Sequence, residues 1–432
     1  MKLKDLEKMI LEQEEFIPKI QNRGDVAEGL LGAALVARYL KGPEEENDVT
    51  TEDIEKVLDQ LAATESLPVL NKKGEPATGK TKKTWTSAPL KREDGTADVI
   101  EFTVALNDGP FSSLTNPQQR VRLQGGRTPD KPGEKPKKQP NLYGAVAKYV
   151  NSANVIETVL DEMVDGISSK IRIISDGVSD QKGTKVDLLV YKDDKLLKRI
   201  GSLSLKALGT KQLGQIGKSW GNLPEGEGSR GIYDLMKSLF GIELPDNLAG
   251  PYAKAMEPGA EIKETQNAVK EVFKVAAKMA SEKFAKDAAN EDMEFKRGLA
   301  RAIRYEAALQ DEDVFLVHLD DDDYKELDFR EIEDKIGELD IEVSGKFTGN
   351  IPYIYVDDVN NKLRLIQIRP KIRASEVKIY VEKEKGLVKL LDISKPGTTG
   401  RSAREVNEDL TITKITYKML EQMVEEAIKK AR

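Results

Sequence analysis

The residues best suited to chemistry lie on two adjacent segments that have the pattern of β-strands. In residues 185–192 the alternation of side chains places Asp187 on one face of its strand. In residues 201–207 Ser204 and Lys206 share a face of the next strand. If the two strands pair, Asp187 lies beside Ser204 and Lys206. A carboxylate and an ammonium group at that spacing could hold a divalent metal ion and serve a water molecule or a phosphate group.

The composition excludes several other kinds of catalytic site. The 432 residues include no cysteine, so the chain has no thiol nucleophile, no disulfide and no cysteine-ligated zinc. His318 is the single histidine, which excludes a site with several histidine ligands and makes a Ser-His-Asp triad unexpected. Acid–base or metal chemistry must therefore use Asp, Glu, Lys and Tyr. Oxygen ligands of this kind suit Mg²⁺ or Mn²⁺.

A second carboxylate is expected from the helix that precedes the two strands. Residues 142–165 have a helical pattern, and Glu157, Asp161 and Asp165 recur in it at helical spacing. We choose Glu157 as the second metal ligand, because the other two fit a solvated surface equally well. Ser204, and Gln212 after the second strand, are candidate supporting residues.

The order of these features resembles the PD-(D/E)xK nuclease superfamily, which includes many type II restriction endonucleases. A helix acid, a strand Asp, a short turn and a strand ending in Lys follow one another within residues 154–215. The resemblance implies a metal-dependent endonuclease, of restriction type or phage origin, that hydrolyses phosphodiester bonds in DNA. It also implies catalytic roles for Asp187, Lys206 and Glu157, with Asp187 and Glu157 binding Mg²⁺ or Mn²⁺.

One residue departs from the family pattern. Ser204 stands where the family has Glu or Asp, two residues before the Lys. Either a water molecule or Glu157 completes the metal shell, or the chain is a non-catalytic DNA-binding or phage structural protein on a degenerate nuclease scaffold. A third reading is an ordinary surface hairpin, in which Asp187 and Lys206 form an exposed ion pair worth under about 1 kcal/mol.

A phosphate-binding motif offers a competing function. Residues 74–81, GEPATGKT, match the P-loop pattern G-x-x-x-x-G-K-[ST]. A P-loop must follow a buried strand and open a helix, whose amide groups hold the phosphates. The residues after Lys80 are β-formers followed by Pro89, so we expect the match to be fortuitous and a P-loop NTPase to be the weakest of the alternatives.

The charges are unevenly distributed along the chain, whose net charge is −7. Residues 66–150 contain 15 basic and 8 acidic residues, a net of +7, whereas residues 311–342 contain 3 and 15, a net of −12. The basic part could contact DNA phosphates, with residues 127–141 as an exposed arm or merely a soluble linker. The candidate DNA-binding residues are Lys82, Lys83, Arg120, Arg122, Arg127 and Lys211.

The pattern of elements predicts an α/β protein, with α+β as the alternative. We expect a mixed sheet flanked by helices, like that of restriction endonucleases. The predicted segments are a helical region (1–65), a basic β/loop extension (66–141), a nuclease-like core (142–225), a helical region (226–310) and an α/β part that completes the fold (311–432). No apolar run reaches the roughly 20 residues needed to span a bilayer, so we expect a cytoplasmic protein without a membrane partner. A homodimer is a further expectation from the resemblance.

Overall fold

The structure is a computed structural model. It describes residues 20, 22–42, 47–71, 73–91, 95–129, 134–159, 162, 168–176, 186–197, 200–207, 212–216, 232–255, 262–284, 292–306, 315–348, 351–373 and 376–394.

The strands of the described ranges are, in chain order, β1 (Leu67–Leu70), β2 (Pro76–Thr86), β3 (Leu90–Lys91), β4 (Ala97–Asn107), β5 (Arg127–Thr128), β6 (Lys137–Lys138), β7 (Lys170–Asp176), β8 (Leu188–Lys192), β9 (Lys195–Leu196), β10 (Ser202–Ala207), β11 (Gln212–Ile216), β12 (Phe315–Asp320), β13 (Asp323–Leu327), β14 (Ile341–Thr348), β15 (Ile351–Asp358), β16 (Leu363–Arg373) and β17 (Glu376–Lys383). The α-helices are α1 (Arg23–Lys41), α2 (Thr51–Ala63), α3 (Asp108–Thr115), α4 (Pro117–Arg120), α5 (Leu142–Val150), α6 (Ala153–Thr158), α7 (Ile232–Phe240), α8 (Ala249–Ala255), α9 (Ile262–Lys283), α10 (Met293–Glu306), α11 (Ile332–Gly337) and α12 (Lys385–Leu391).

A ten-stranded mixed sheet forms the centre of the fold. Its strand order is β1-β2-β4-β7-β8-β10-β12-β13, with β3 paired to β4 and β9 paired to β8. Strands β7, β8 and β10 form an antiparallel meander. Strand β12 lies parallel to β10, and the chain between them includes α7 to α10, as a parallel pair requires a long crossover. Strands from the predicted segments 66–141, 142–225 and 311–432 therefore share one sheet.

Helix α1 covers one face of this sheet. Its Ala- and Leu-rich sequence favours a helix, and its residues from 26 to 39 are buried. Gly32 allows the helix to approach the strands closely, because a Cβ atom there would lie 2.6 Å from the Phe102 ring and 3.3 Å from Leu188. This contact sets the short distance between the backbone of α1 and strands β4 and β8.

A buried polar network joins the helices beside α1. The Arg120 guanidinium, which is 1% exposed, forms ion pairs with Glu55 at 2.5 Å and with Asp59. The Tyr143 hydroxyl donates a hydrogen bond of 2.5 Å to the same Glu55 carboxylate. These contacts connect α2, α4 and α5, so the buried charge of Arg120 is neutralised by two carboxylates.

A second, antiparallel sheet packs on the other side of the large one. Its strand order is β11-β17-β16-β15-β14. Helix α9 lies against β14 and β15, and Gly345 permits this contact, because a Cβ atom there would lie 2.8 Å from the Ala277 carbonyl oxygen. Leu316 and Leu327 of the large sheet belong to the same apolar core as these strands. The two sheets are thus joined by one buried cluster.

The predicted fold class is confirmed, because the chain forms a large mixed sheet flanked by helices. None of the described helices combines the length and the apolar character needed to cross a bilayer.

Candidate active site

The two strands that carry the predicted catalytic residues are adjacent in the large sheet. Strands β8 and β10 are antiparallel, with Leu203 opposite Leu188. The Asp187 amide, one residue before β8, donates a 2.8 Å hydrogen bond to the Leu203 carbonyl oxygen. Asp187 therefore lies opposite Ser204.

The Asp187 carboxylate is bound to the neighbouring strand through one oxygen. Its Oδ2 atom accepts a hydrogen bond from the Ser204 hydroxyl at 3.2 Å and one from the Leu205 amide at 2.5 Å. Ser204 is fully buried, with 0% of its surface exposed. Ser204 is thus a hydrogen-bond donor to Asp187, and it holds that carboxylate against β10.

Lys206 and Gln212 are described only through their backbones. Lys206 belongs to β10, where its partner in the parallel strand β12 is His318. It follows Ser204 by two residues, so the backbone of β10 assigns both to the same face. Gln212 begins β11 in the second sheet, opposite Glu382. The side chains of Lys206 and Gln212, and Lys211 as a whole, lie outside the described part of the chain.

The structure places Glu157 away from Asp187. Glu157 is exposed on α6, and Asn154 at the start of this helix donates a 3.0 Å hydrogen bond to Glu326 of β13. Strands β10 and β12 separate β13 from β8. Helical periodicity in the sequence shows which residues share a face of a helix, but it does not show over which strand that face lies. Asp161 and Asp165 lie outside the described residues.

Helix α1 supplies a carboxylate close to Asp187 instead. Asp25 lies in the first turn of α1. Burial raises the pKa of the Asp25 carboxyl above its usual value, the negative charge of Asp187 raises it further, and hydrogen bonds with Asn22 and Asn107 partly offset both effects. Asn107 ends β4, and because β4 and β7 run parallel and β8 runs antiparallel to them, the end of β4 and the start of β8 lie at the same edge of the sheet.

A second carboxylate of α1 lies on the same stripe of the helix. Glu28 is 6% exposed and comes three residues after Asp25 and four before Gly32. Residues at these spacings share a helix face. Gly32 lies against Leu188, so the stripe crosses the face of the large sheet that carries Leu188. Two acidic residues near the start of a helix whose residues 26–37 are apolar apart from Glu28 were the sequence signal for this arrangement.

Among the described residues, no three His, Asp or Glu side chains are grouped so that they could hold a metal ion together. Mg²⁺ is commonly bound through one or two carboxylates, with water and substrate phosphate oxygens completing its shell. Asp187 with one carboxylate of α1 fits that kind of donor set, so the residues present suit a substrate-assisted Mg²⁺ site better than a closed structural one.

Three of the residues predicted to bind DNA are buried and cannot reach a phosphate. Arg120 is held by the polar network described above. Lys83 is 7% exposed, and its ammonium group donates 2.5 Å hydrogen bonds to the Ala62 and Thr64 carbonyl oxygens at the end of α2. Arg122 is 2% exposed and donates to the Pro129 carbonyl oxygen. These predictions are wrong because each cation satisfies backbone or carboxylate acceptors inside the fold.

Lys82 remains a candidate for phosphate contact. It is exposed. Its partner in β4 is Ala105, and the partner of Ala105 in β7 is Asp176, so Lys82 is in register across the sheet with the end of β7. Asp176 ends β7 beside the start of β8. With strands about 4.8 Å apart, three strand spacings place Lys82 roughly 14 Å from Asp187. Arg127 is also exposed.

The P-loop pattern is part of a strand. Residues 76–86 form β2, in which Lys80 pairs with Asn107 and Thr81 with Leu106 of β4. The Thr81 hydroxyl donates a 2.6 Å hydrogen bond to Asp108. The residues after Lys80 continue this strand to Thr86. A P-loop requires the amide groups at the start of a helix to hold the phosphates, and the strand does not provide them.

No protein-family model matches the chain, and no curated protein and no solved structure is significantly similar to it.

Proposed function

We propose that the chain is a Mg²⁺-dependent endonuclease that hydrolyses phosphodiester bonds in DNA. The observation that carries the proposal is the position of Asp187, whose carboxylate is hydrogen-bonded to Ser204 and the Leu205 amide on β10, the strand that also contains Lys206. A metal ion bound there would polarise a phosphate and lower the pKa of a bound water molecule.

Each residue of the site has a distinct role in this proposal. Asp187 is the central metal ligand, and its oxygen Oδ2 is oriented by Ser204 and the Leu205 amide. Glu28 or Asp25 is the second carboxylate and replaces Glu157 in that role. Lys206 places a positive charge beside the scissile phosphate, where it orients the attacking water or neutralises the charge that develops.

Plasmid cleavage tests the proposal. The full-length protein should nick or linearise plasmid DNA in Mg²⁺ or Mn²⁺, and Asp187→Ala and Lys206→Ala should abolish cleavage. Matched controls come from the far end of the same hairpin. Asp194 is 98% exposed and Lys195 is exposed, so Asp194→Ala and Lys195→Ala should retain full activity. Cleavage that survives Asp187→Ala would refute the assignment, as would the absence of cleavage of any DNA.

A non-catalytic DNA-binding protein on the same scaffold is the second candidate. The buried Ser204 hydroxyl favours it, because a donor occupies the position of a metal-binding acid. Ser204→Glu discriminates between the two candidates. If the site is degenerate, the variant gains metal-dependent cleavage that the parent lacks. If the site is active as it stands, the variant places a second carboxylate against Asp187 in a buried position, and it loses both stability and cleavage.

A further inference from the structure

A short pair of antiparallel strands with basic residues lies in the N-terminal part of the chain. Strands β5 and β6 pair with Arg127 opposite Lys138 and Thr128 opposite Lys137. We call the described residues 127–129 and 134–138 the basic hairpin. They include four basic residues and one acidic residue, a net charge of +3. Lys135, Lys137 and Lys138 are all exposed.

The base of the basic hairpin is fixed to the body of the protein. Gln139 is buried at 4% exposure, and its side-chain amide donates to the Thr128 and Lys137 carbonyl oxygens at 3.4 and 3.3 Å. Its backbone amide donates a 3.0 Å hydrogen bond to Gly126. Gln139 therefore links both strands of the hairpin, which makes the hairpin an anchored arm.

The anchor lies next to the candidate active site. The Arg23 guanidinium donates a 3.2 Å hydrogen bond to the Gln139 side-chain oxygen. Arg23 is the first residue of α1, and a Cβ atom at Gly29, six residues on, would lie 3.6 Å from Leu106 at the end of β4, the edge of the sheet where β8 begins. The basic hairpin is thus attached to the end of α1 that faces the proposed metal site.

Two lysines of the basic hairpin form ion pairs at the protein surface. Lys137 lies 3.9 Å from Glu134, and Lys138 lies 3.6 Å from Asp321; all four side chains are more than a third exposed. Exposed pairs of this kind contribute about 0–1 kcal/mol. A DNA phosphate could therefore replace these carboxylates at little cost, whereas it could not reach the buried Arg120 side chain.

We propose that the basic hairpin is a docking arm for the phosphate backbone of duplex DNA, which it holds beside Asp187. The inference rests on the proposed function for its ligand. A two-stranded ribbon is narrow enough for the major groove of B-DNA, about 12 Å wide, and Lys135, Lys137 and Lys138 present the complementary charge. The arm orients the duplex relative to α1 and contributes affinity that does not depend on sequence.

Salt-dependent binding tests the inference. Fluorescence anisotropy of a labelled 30-base-pair duplex would be measured with the full-length protein in EDTA, where cleavage cannot consume the probe. Three lost phosphate contacts should reduce the slope of log K against log salt by about 2.7, so that from 50 to 200 mM salt the variant loses about 40-fold less affinity than the wild type. The variant is Lys135→Gln, Lys137→Gln and Lys138→Gln combined.

A matched variant controls for net charge. Lys263, Lys274 and Lys278 are exposed on α9, and changing all three to Gln removes the same charge from a different surface. This control should keep the wild-type slope. Equal slopes for the hairpin variant and the wild type would overturn the inference, as would an equal reduction in the α9 control.

The outcomes separate the inference from the proposed function. If plasmid is cleaved but the hairpin variant binds like the wild type, the docking arm is refuted and the nuclease stands. If the hairpin controls salt-sensitive binding but no metal supports cleavage, the docking arm stands and the nuclease is refuted. If the protein binds no DNA at any salt concentration, both are refuted.

Discussion

Replacing Ser204 by Ala should destabilise the protein by about 1.5 kcal/mol. The hydroxyl donates to the Asp187 carboxylate, and hydrogen bonds to charged groups contribute about 1.5–3 kcal/mol. The lower end applies here, because the 3.2 Å distance is long for a hydroxyl donor. No water can replace the donor, since Ser204 is 0% exposed.

The assay for this prediction is urea unfolding followed by circular dichroism in two backgrounds. In the wild-type background Ser204→Ala should lower the free energy of unfolding by about 1.5 kcal/mol. In an Asp187→Ala background the acceptor is already gone, so the same change should cost under about 0.5 kcal/mol. Equal costs in the two backgrounds would refute the idea that Ser204 acts on Asp187.

Three further predictions concern the corrected and the newly assigned residues. Lys83→Met should cost about 2–3 kcal/mol of stability, because two carbonyl oxygens at the end of α2 lose a charged donor, and it should leave the salt dependence of DNA binding unchanged. Glu28→Gln should slow plasmid cleavage about 10- to 100-fold, whereas Glu157→Gln should leave the rate unchanged. Asp25→Asn should stabilise the protein near neutral pH, because burial and the charge of Asp187 raise the pKa of Asp25 in the folded state.

The Asp25 prediction has a defined pH dependence. A carboxyl with a raised folded-state pKa binds more protons when folded, so the wild-type protein loses stability as pH rises from the ordinary Asp pKa of about 4 through the folded-state value. Asp25→Asn should flatten this decline in urea titrations, and an unaltered pH profile would contradict it. The Lys83→Met prediction would be contradicted if this variant kept its full stability and bound DNA with a weaker dependence on salt. The prediction for the helix carboxylates would be contradicted if Glu157→Gln lost more cleavage activity than Glu28→Gln.

The strand pairing at the site could be predicted because its determinants are local. Side-chain alternation with period two defines the faces of β8 and β10, and the turn residue Asp193 adopts a left-handed conformation with φ of 46°. The structure adds a feature that alternation does not show. The first strand after the turn is β9, and the chain then bends sharply at Gly201, where a Cβ atom would lie 1.7 Å from the Leu197 carbonyl oxygen. Only after this bend does β10 pair with β8.

Which helix supplies the second carboxylate could not be predicted, because the positions of the helices depend on contacts between residues that are distant in sequence. Glu157 is closer to Asp187 along the chain than Glu28 is, and both lie in helical patterns. The decisive interactions are the approach of Gly32 to Leu188 and the hydrogen bond between Asn154 and Glu326. Neither contact follows from helical periodicity alone.

The burial of three predicted DNA-binding residues also could not be read from residue type alone. Charged residue types in a basic segment suggest a surface, yet the side chains of Arg120 and Arg122 are buried and paired with acceptors of the same chain. For Lys83 a local signal was present. The period-two alternation of β2 places Lys83 on the same face as Trp85, which packs against the large core, whereas Lys82 points to the opposite, exposed face.

Binding of Mn²⁺ to the purified protein, followed by the electron paramagnetic resonance signal of the free ion, tests the central claim most directly. The claim is that Asp187 anchors a divalent metal at the start of β8. The wild-type protein and Asp194→Asn should bind Mn²⁺ with the same affinity, and Asp187→Asn should bind it at least about tenfold more weakly. Equal affinity in Asp187→Asn and the wild type, or no Mn²⁺ binding by the wild-type protein, would contradict the claim.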